Sequence, residues 1–205
     1  MKKLLGLAGI FLGISLFLCL VYLHAKEKAG EKSTVAIEKS LDKSFRKIFP
    51  EYDSQPEKEV IFLDDPKDKS LSQKCEYQLN KGCLVYPVKK KCALLGFALI
   101  WQTDKGFKGP IKLMLGISPA GEILGLDILS HNETPNLGSK ITTEEFQNQF
   151  LKRTLKNTKW MIEKDGGDIK AITGASYSSR AVTSALKEAL EFYEKSQSSL
   201  LKAND

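Results

Sequence analysis

The residues with the most chemistry to offer lie near the C-terminal end. Lys170–Val182 reads KAITGASYSSRAV, a small-residue turn that feeds a helix and is rich in hydroxyls. The unpaired amides and the positive dipole end of such a helix start suit a phosphate. Gly174 and Ala175 let the backbone approach a ligand closely. Ser176 would present a hydroxyl there, and Ser178 or Ser179 could cap the helix. An ordinary capped helix start has the same composition, so this segment alone leaves both readings open. A second segment runs His131-Asn132-Glu133-Thr134-Pro135-Asn136-Leu137-Gly138. Glu133 offers a carboxylate, and Asn136 and Gly138 tolerate left-handed backbone. By itself it is also a plain surface loop. His131 and Glu133 are two potential ligands with no third near them in sequence, so no metal site is expected.

The elements that must position these segments follow from periodicity. Ala93–Thr103 (ALLGFALIWQT) is apolar enough for a strand and leads into the turn Asp104-Lys105-Gly106. Ile111, Leu113, Leu115 and Ile117 alternate with period two, one buried face of a strand. Ser118-Pro119-Ala120-Gly121 turns the chain into a partner strand, Glu122–Leu129. A polar loop follows, then a helix from about Thr143 to Leu155, with Thr142 as N-cap and Glu145 completing a capping box. A strand is expected through Trp160–Ile162, closed by Gly166-Gly167. The last helix is expected from about Ser179 to Lys195, with Val182, Ala185, Leu186, Ala189, Leu190 and Tyr193 on one face. The fold class is therefore α+β, an antiparallel sheet meander with helices packed on one side.

Ahead of this, Leu4–Leu23 is twenty residues without a charge. At about 1.5 Å per residue that spans about 30 Å, a bilayer core, so residues 1–23 are expected to be an uncleaved transmembrane anchor. Leu23 at the −3 position before Ala25 argues against signal cleavage. Residues 24–33 read as a linker, and 34–74 as a helix and membrane-proximal region with a short strand at Val60–Leu63. In that helix Ile37, Leu41, Phe45 and Ile48 form an apolar stripe ended by Pro50. Residues 75–197 form the soluble domain and 198–205 a tail. The net charge of +6, from 31 Lys and Arg against 25 Asp and Glu, is diffuse beyond Lys2 and Lys3. Arg46, Arg153 and Arg180 are the only arginines, so no nucleic-acid partner is expected. Lys89-Lys90-Lys91 reads as a solvated turn.

Taken in order, Gly106–Ile141 (GFKGPIKLMLGISPAGEILGLDILSHNETPNLGSKI), Trp160–Asp168 (W-x-I-x-K-D-G-G-D) and Ala171–Val182 (AITGASYSSRAV) carry a family resemblance. The chain closely resembles the FMN-binding G component of the Rnf ion-translocating ferredoxin:NAD oxidoreductase. The related C component of the sodium-translocating NADH:quinone reductase is a more distant match. The resemblance implies that 75–197 is an FMN-binding domain and that Ser176, in Thr173-Gly174-Ala175-Ser176, carries FMN as a phosphoester made by a flavin transferase. It implies that Glu133, Thr134, Leu137 and Gly138 lie near the flavin, together with Thr173, Gly174, Ala175, Ser178 and Ser179. Three positions depart from the family motifs: serine at 176 for threonine, Asn136 for glycine, and Lys170 for aspartate, with Asp168 two residues earlier.

The implied role is an electron-transfer subunit of a complex in the bacterial inner membrane, with a single span and an extracytoplasmic domain. Its partners would be the other membrane subunits, and the isolated chain would turn over nothing. A structural subunit without flavin, or a stand-alone anchored FMN-binding protein serving another reductase, are the alternatives. In an extracytoplasmic domain Cys75–Cys83 is the favoured disulfide, with a third cysteine left free; buried inert thiols are the other possibility.

Overall fold

A computed structural model describes residues 41–63, 74–78 and 82–204. The expected anchor and linker lie outside these residues. Among the described residues no helix is long and apolar enough to cross a membrane. The chain divides after Lys43, and the sheet, its helices and the site all belong to the unit that begins at Ser44.

Six strands make one antiparallel sheet: β1 (Ile61–Leu63), β2 (Tyr77–Gln78), β3 (Gly82–Lys90), β4 (Ala93–Thr103), β5 (Ile111–Ile117) and β6 (Ile123–His131). The order is β1-β3-β4-β5-β6, with β2 also on β3. The meander expected from the sequence is thus present, and β4 and β5 have the expected bounds. Lys91 and Cys92, at φ 47° and 66°, form the two-residue turn between β3 and β4, a primed turn whose twist matches that of the strands. Where β3 and β4 splay apart, residues 75–78 fill the gap. Cys75 bridges Trp101, Glu76 N donates to Ile100 O at 3.1 Å, and Leu84 N donates to Glu76 O at 2.7 Å. The disulfide between Cys75 and Cys83 closes this insertion and leaves Cys92 free and exposed.

Both faces of the sheet are covered, not one. Helix α2 (Ser176–Asn204) lies on the first, against Phe97, Leu99, Trp101, Leu113 and Leu115. Tyr193 donates its phenol to Ser118 O at 3.1 Å, and burial pushes its pKa up to about 12. The second face receives the helical residues 44–48 and Phe49, with Phe45 edge-on to Tyr86 at 5.7 Å. Gly116 and Gly125 make this approach possible. A Cβ on Gly125 would meet Ile48 Cγ2 at 3.3 Å, and one on Gly116 would collide with the same methyl. Met114, buried between the alternating positions of β5, belongs to this second layer.

Three expected elements differ. α2 continues through 198–204, read from sequence as a tail, because Leu200 and Leu201 extend its apolar stripe into the core. The helix expected over 143–155 is only α1 (Glu144–Asn148). Its N-cap is Thr143, which accepts from Phe146 N at 3.4 Å. Thr142 instead donates to Ser139 O inside the 3-10 turn Gly138–Thr142. Beyond the helix Lys152, at φ 61°, is drawn onto the start of β6: Lys152 N donates to Ile123 O at 2.8 Å. Trp160–Ile162 is no strand. Ile162 makes a single parallel bridge to Ile169, and the 3-10 turn Glu163–Asp165 with Gly166 at φ 85° folds the loop back.

Lys89-Lys90-Lys91 is not simply solvated either. Lys89 Nζ pairs with Glu59 at 2.8 Å, Lys90 pairs with Glu51, and Lys91 N donates to Asp53 at 2.9 Å. The acidic 51–59 segment, laid over the second face, supplies these carboxylates.

Candidate functional site

Three segments meet at the start of α2. The turn Thr173–Ser176 enters the helix from below, the loop 133–138 lies beside it, and the loop after β4 comes over from Gly106 to Lys108. They enclose a cavity of about 190 Å³ lined by Phe107, Glu133, Leu137, Gly174, Tyr177 and Ser178, with Thr134, Gly138 and Ala175 completing the wall. The two motifs separated by more than thirty residues in sequence therefore build one place.

Local chemistry explains why the turn holds its shape. Gly174 sits at φ 79°, left-handed backbone that glycine adopts without strain. Ala175 N donates to Ile172 O at 2.9 Å, and Ser179 N to Ala175 O at 3.1 Å. The amides of 176–178 make no backbone hydrogen bond among the described residues, as the first turn of a helix requires. Ser176 is the first residue of the 29-residue helix and is half-buried. Its hydroxyl makes no hydrogen bond among the described residues. Thr173 is exposed on the same turn.

Ser178 and Ser179 are placed differently from the expectation. Both lie inside the first turn and neither caps it. Ser179 is fully buried; its hydroxyl accepts from Ile172 N at 3.0 Å and donates to Ala175 O at 2.9 Å. It braces the turn and does not line the cavity. Ser178 is 1% exposed and donates its hydroxyl to Glu133 Oε2. Glu133 is 5% exposed, and its Oε1 accepts from Lys108 N at 3.1 Å. One carboxylate thus ties all three segments together.

The rim of the cavity is apolar and open. Phe107 is 62% exposed and Tyr177 66%, their ring centroids 6.1 Å apart, and Leu137 is exposed beside them. Three large apolar side chains held in water around one cavity form a surface suited to a flat aromatic ligand. Sequence reading missed Phe107 and Tyr177. The available signal was an aromatic residue in a glycine-flanked loop, Gly106-Phe107-Lys108-Gly109, and another immediately after Ser176.

On the opposite side of the turn lies a second hollow of about 290 Å³, lined by Lys140, Thr143, Gln149, Lys170 and Thr173 among others. Gln149 clasps the backbone of Lys170, accepting from its N at 2.9 Å and donating to its O at 3.3 Å. The Lys170 amine, where the family motif has aspartate, has no ion-pair partner among the described residues. Asp168 lies at the end of the adjoining loop and is exposed. Its carboxylate accepts from Lys159 N at 2.7 Å, closing the 159–168 loop. That loop is clipped to α2 by Arg180, which donates to both oxygens of Asp165 at 2.6 and 2.8 Å. The Arg180 hydrogen bond holds the Asp165 carboxyl below its ordinary range.

Residues 106–191 match the family of FMN-binding domains. Over 152 residues the chain is 32% identical to the G component of the ion-translocating oxidoreductase complex of Shewanella baltica (strain OS223), covering 68% of this chain and 72% of that one. It is 43% identical over 95 residues to the protein of the same name from Methanosarcina acetivorans, covering 46% of this chain and 50% of the other. Among solved structures, the crystal structure of Shewanella oneidensis NqrC aligns with a TM-score of 0.46 at 20% identity, over 67% of this chain and 69% of that chain.

Proposed function

The chain belongs to the family of G components of ion-translocating oxidoreductase complexes, and on that premise we propose that it is a membrane-anchored flavoprotein subunit carrying FMN as a phosphoester on Ser176. The observation that carries this reading is the meeting of loop 133–138 and Gly174-Ala175 at one cavity with an exposed aromatic rim, next in the chain to the Ser176 hydroxyl, which has no partner among the described residues.

The residues fit the group. The open amides of 176–178 and the positive end of α2 favour a phosphate on Ser176. Gly174 and Gly138 keep the approach clear: a Cβ on Gly174 would touch Leu137 Cδ2 at 3.1 Å. Phe107, Leu137 and Tyr177 offer an apolar face to the ring. FMN, when bound, supplies reversible electron transfer; the protein supplies binding, orientation and electrostatics. Serine keeps the nucleophilic oxygen of threonine and removes only a methyl. No general acid or base is needed, since the chain would pass electrons between carriers in partner subunits.

Residues 4–23 would hold the domain at the inner membrane, on its extracytoplasmic side, and the Cys75–Cys83 disulfide supports an oxidising compartment. Labelling of the exposed Cys92 by a membrane-impermeant thiol reagent on intact spheroplasts tests this; protection until the membrane is broken refutes it. The flavin is tested by co-expression with a competent flavin transferase. A fluorescent band in denaturing gels and a flavin mass on the peptide containing Ser176, both lost in Ser176→Ala, are the expected results. No flavin on the wild-type chain overturns the proposal. That result would favour the second reading, a structural subunit without flavin, which Lys170 at the aspartate position supports.

A further inference from the structure

Resting on the flavin reading above, we propose that Glu133 is the fixed negative charge that holds down the reduction potential of the group bound at this cavity. The chain has built a place for a carboxylate and left it without a counter-ion. Glu133 is 5% exposed. Gly106 and Gly138 flank it: a Cβ on the first would lie 2.9 Å from Oε1, and one on the second 2.8 Å from Oε2. Any other residue at either position would crowd the carboxylate. Its donors are neutral, the Ser178 hydroxyl and Lys108 N. Among the described residues no Lys, Arg or His nitrogen lies within ion-pair distance of it. Lys108 contributes only its backbone, and His131 meets only the Glu133 backbone, its Nδ1 accepting from Glu133 N at 3.2 Å.

A buried charge without a partner is costly, and neutral residues of the same shape would bridge these three segments as well. What the charge adds is a field. It lies in the wall of the cavity with Phe107, Leu137 and Tyr177, in surroundings that screen it far less than water. A flavin ring held there would carry one negative charge after taking up two electrons and one proton. Glu133 in the cavity wall would disfavour that charge and so lower the potential. The hydrogen bonds from Ser178 and Lys108 damp the effect without cancelling it.

Two variants of the full chain, co-produced with its flavin transferase and titrated spectroelectrochemically, have opposite expected signs. Glu133→Gln keeps the shape, because the Ser178 hydroxyl can accept from an amide as well as donate to an acid. It should raise the midpoint potential by at least a tenfold change in the two-electron equilibrium, about 30 mV. Ser178→Ala keeps the charge and removes one damping donor, so the potential should fall. An unchanged or lower potential in Glu133→Gln overturns the inference. So does an unchanged or higher one in Ser178→Ala, which decides alone if Glu133→Gln carries no flavin. A wild-type chain without flavin would overturn the preceding reading, and this inference with it. Flavin present with unmoved potentials overturns this inference only.

Discussion

Alanine at position 138 is expected to loosen the site from inside. Gly138 is buried, and its φ lies outside the left-handed region, so alanine meets a steric obstacle and no backbone strain. The new Cβ would sit 2.7 Å from Ser178 Oγ, 2.8 Å from Glu133 Oε2 and 2.9 Å from Glu133 Cβ. Contacts that short require a shift of about half an ångström. Retreat of Glu133 is opposed on its other side, where Oε1 is held by Lys108 N at 3.1 Å. Overpacking of this kind costs about 1–3 kcal/mol, and stretching the hydrogen bond to the buried carboxylate about 1.5–3 kcal/mol more. A total loss of about 2.5–6 kcal/mol follows, a large share of the stability of an ordinary domain. Urea unfolding followed by the fluorescence of the buried Trp101 and Trp160 measures it. Gly166→Ala is the contrasting control: nothing lies within 4 Å of its Cβ, but φ is +85°, so a loss of about 1–2 kcal/mol is expected from conformation alone. If Gly138→Ala lowers stability by less than about 1 kcal/mol, the carboxylate is not confined as described.

Reduction of the Cys75–Cys83 bond, or Cys83→Ser, should cost roughly 2–3 kcal/mol for a separation of eight residues. Unfolding with and without reductant reads it, and equal midpoints would show that the insertion between β3 and β4 holds itself. Ile48→Ala should cost about 2–4 kcal/mol, since the side chain is 5% exposed against Gly116 and Gly125. Gly116→Ala should then be better tolerated in that background than in the wild type, and strict additivity of the two losses would contradict the packing. Asp165→Asn should destabilise at neutral pH. The folded carboxyl is held below its ordinary value by Arg180. Its contribution is therefore complete above the unfolded pKa of about 3.9 and lost as pH falls through the folded value. The gap between wild type and variant should close below about pH 4; a gap that stays constant down to pH 2 counts against the clip.

The strands were legible where one pattern dominates over a whole element. β4 and β5 needed nothing beyond an apolar run and a period of two. The Cys75–Cys83 pair was also anticipated. The site was legible as two motifs in order, because a hydroxyl after Gly-Ala at a helix start and a carboxylate in a Pro-Asn-Leu-Gly loop are local features. Their partners were not. Phe107 belongs to a third segment whose place beside the other two depends on the β4–β5 connection. The seryl hydroxyls at 176, 178 and 179 look equivalent in sequence. Helical geometry turns Ser178 toward Glu133 and Ser179 back into its own turn, leaving Ser176 half-buried and without a partner among the described residues.

By itself, then, the sequence determined which stretches form the central strands, that a long amphipathic helix follows the Gly-Ala turn, and to which family the chain belongs, because each is written in neighbouring residues. Only the tertiary structure decided that the second face of the sheet is covered by residues 44–53, that the chain beyond α1 is pulled onto β6 at Lys152, and that Glu133 is buried with no cation beside it among the described residues. Each of those outcomes depends on segments tens of residues apart competing for the same surface or the same hydrogen bond. A one-dimensional pattern records what a residue prefers and not which distant neighbour satisfies it.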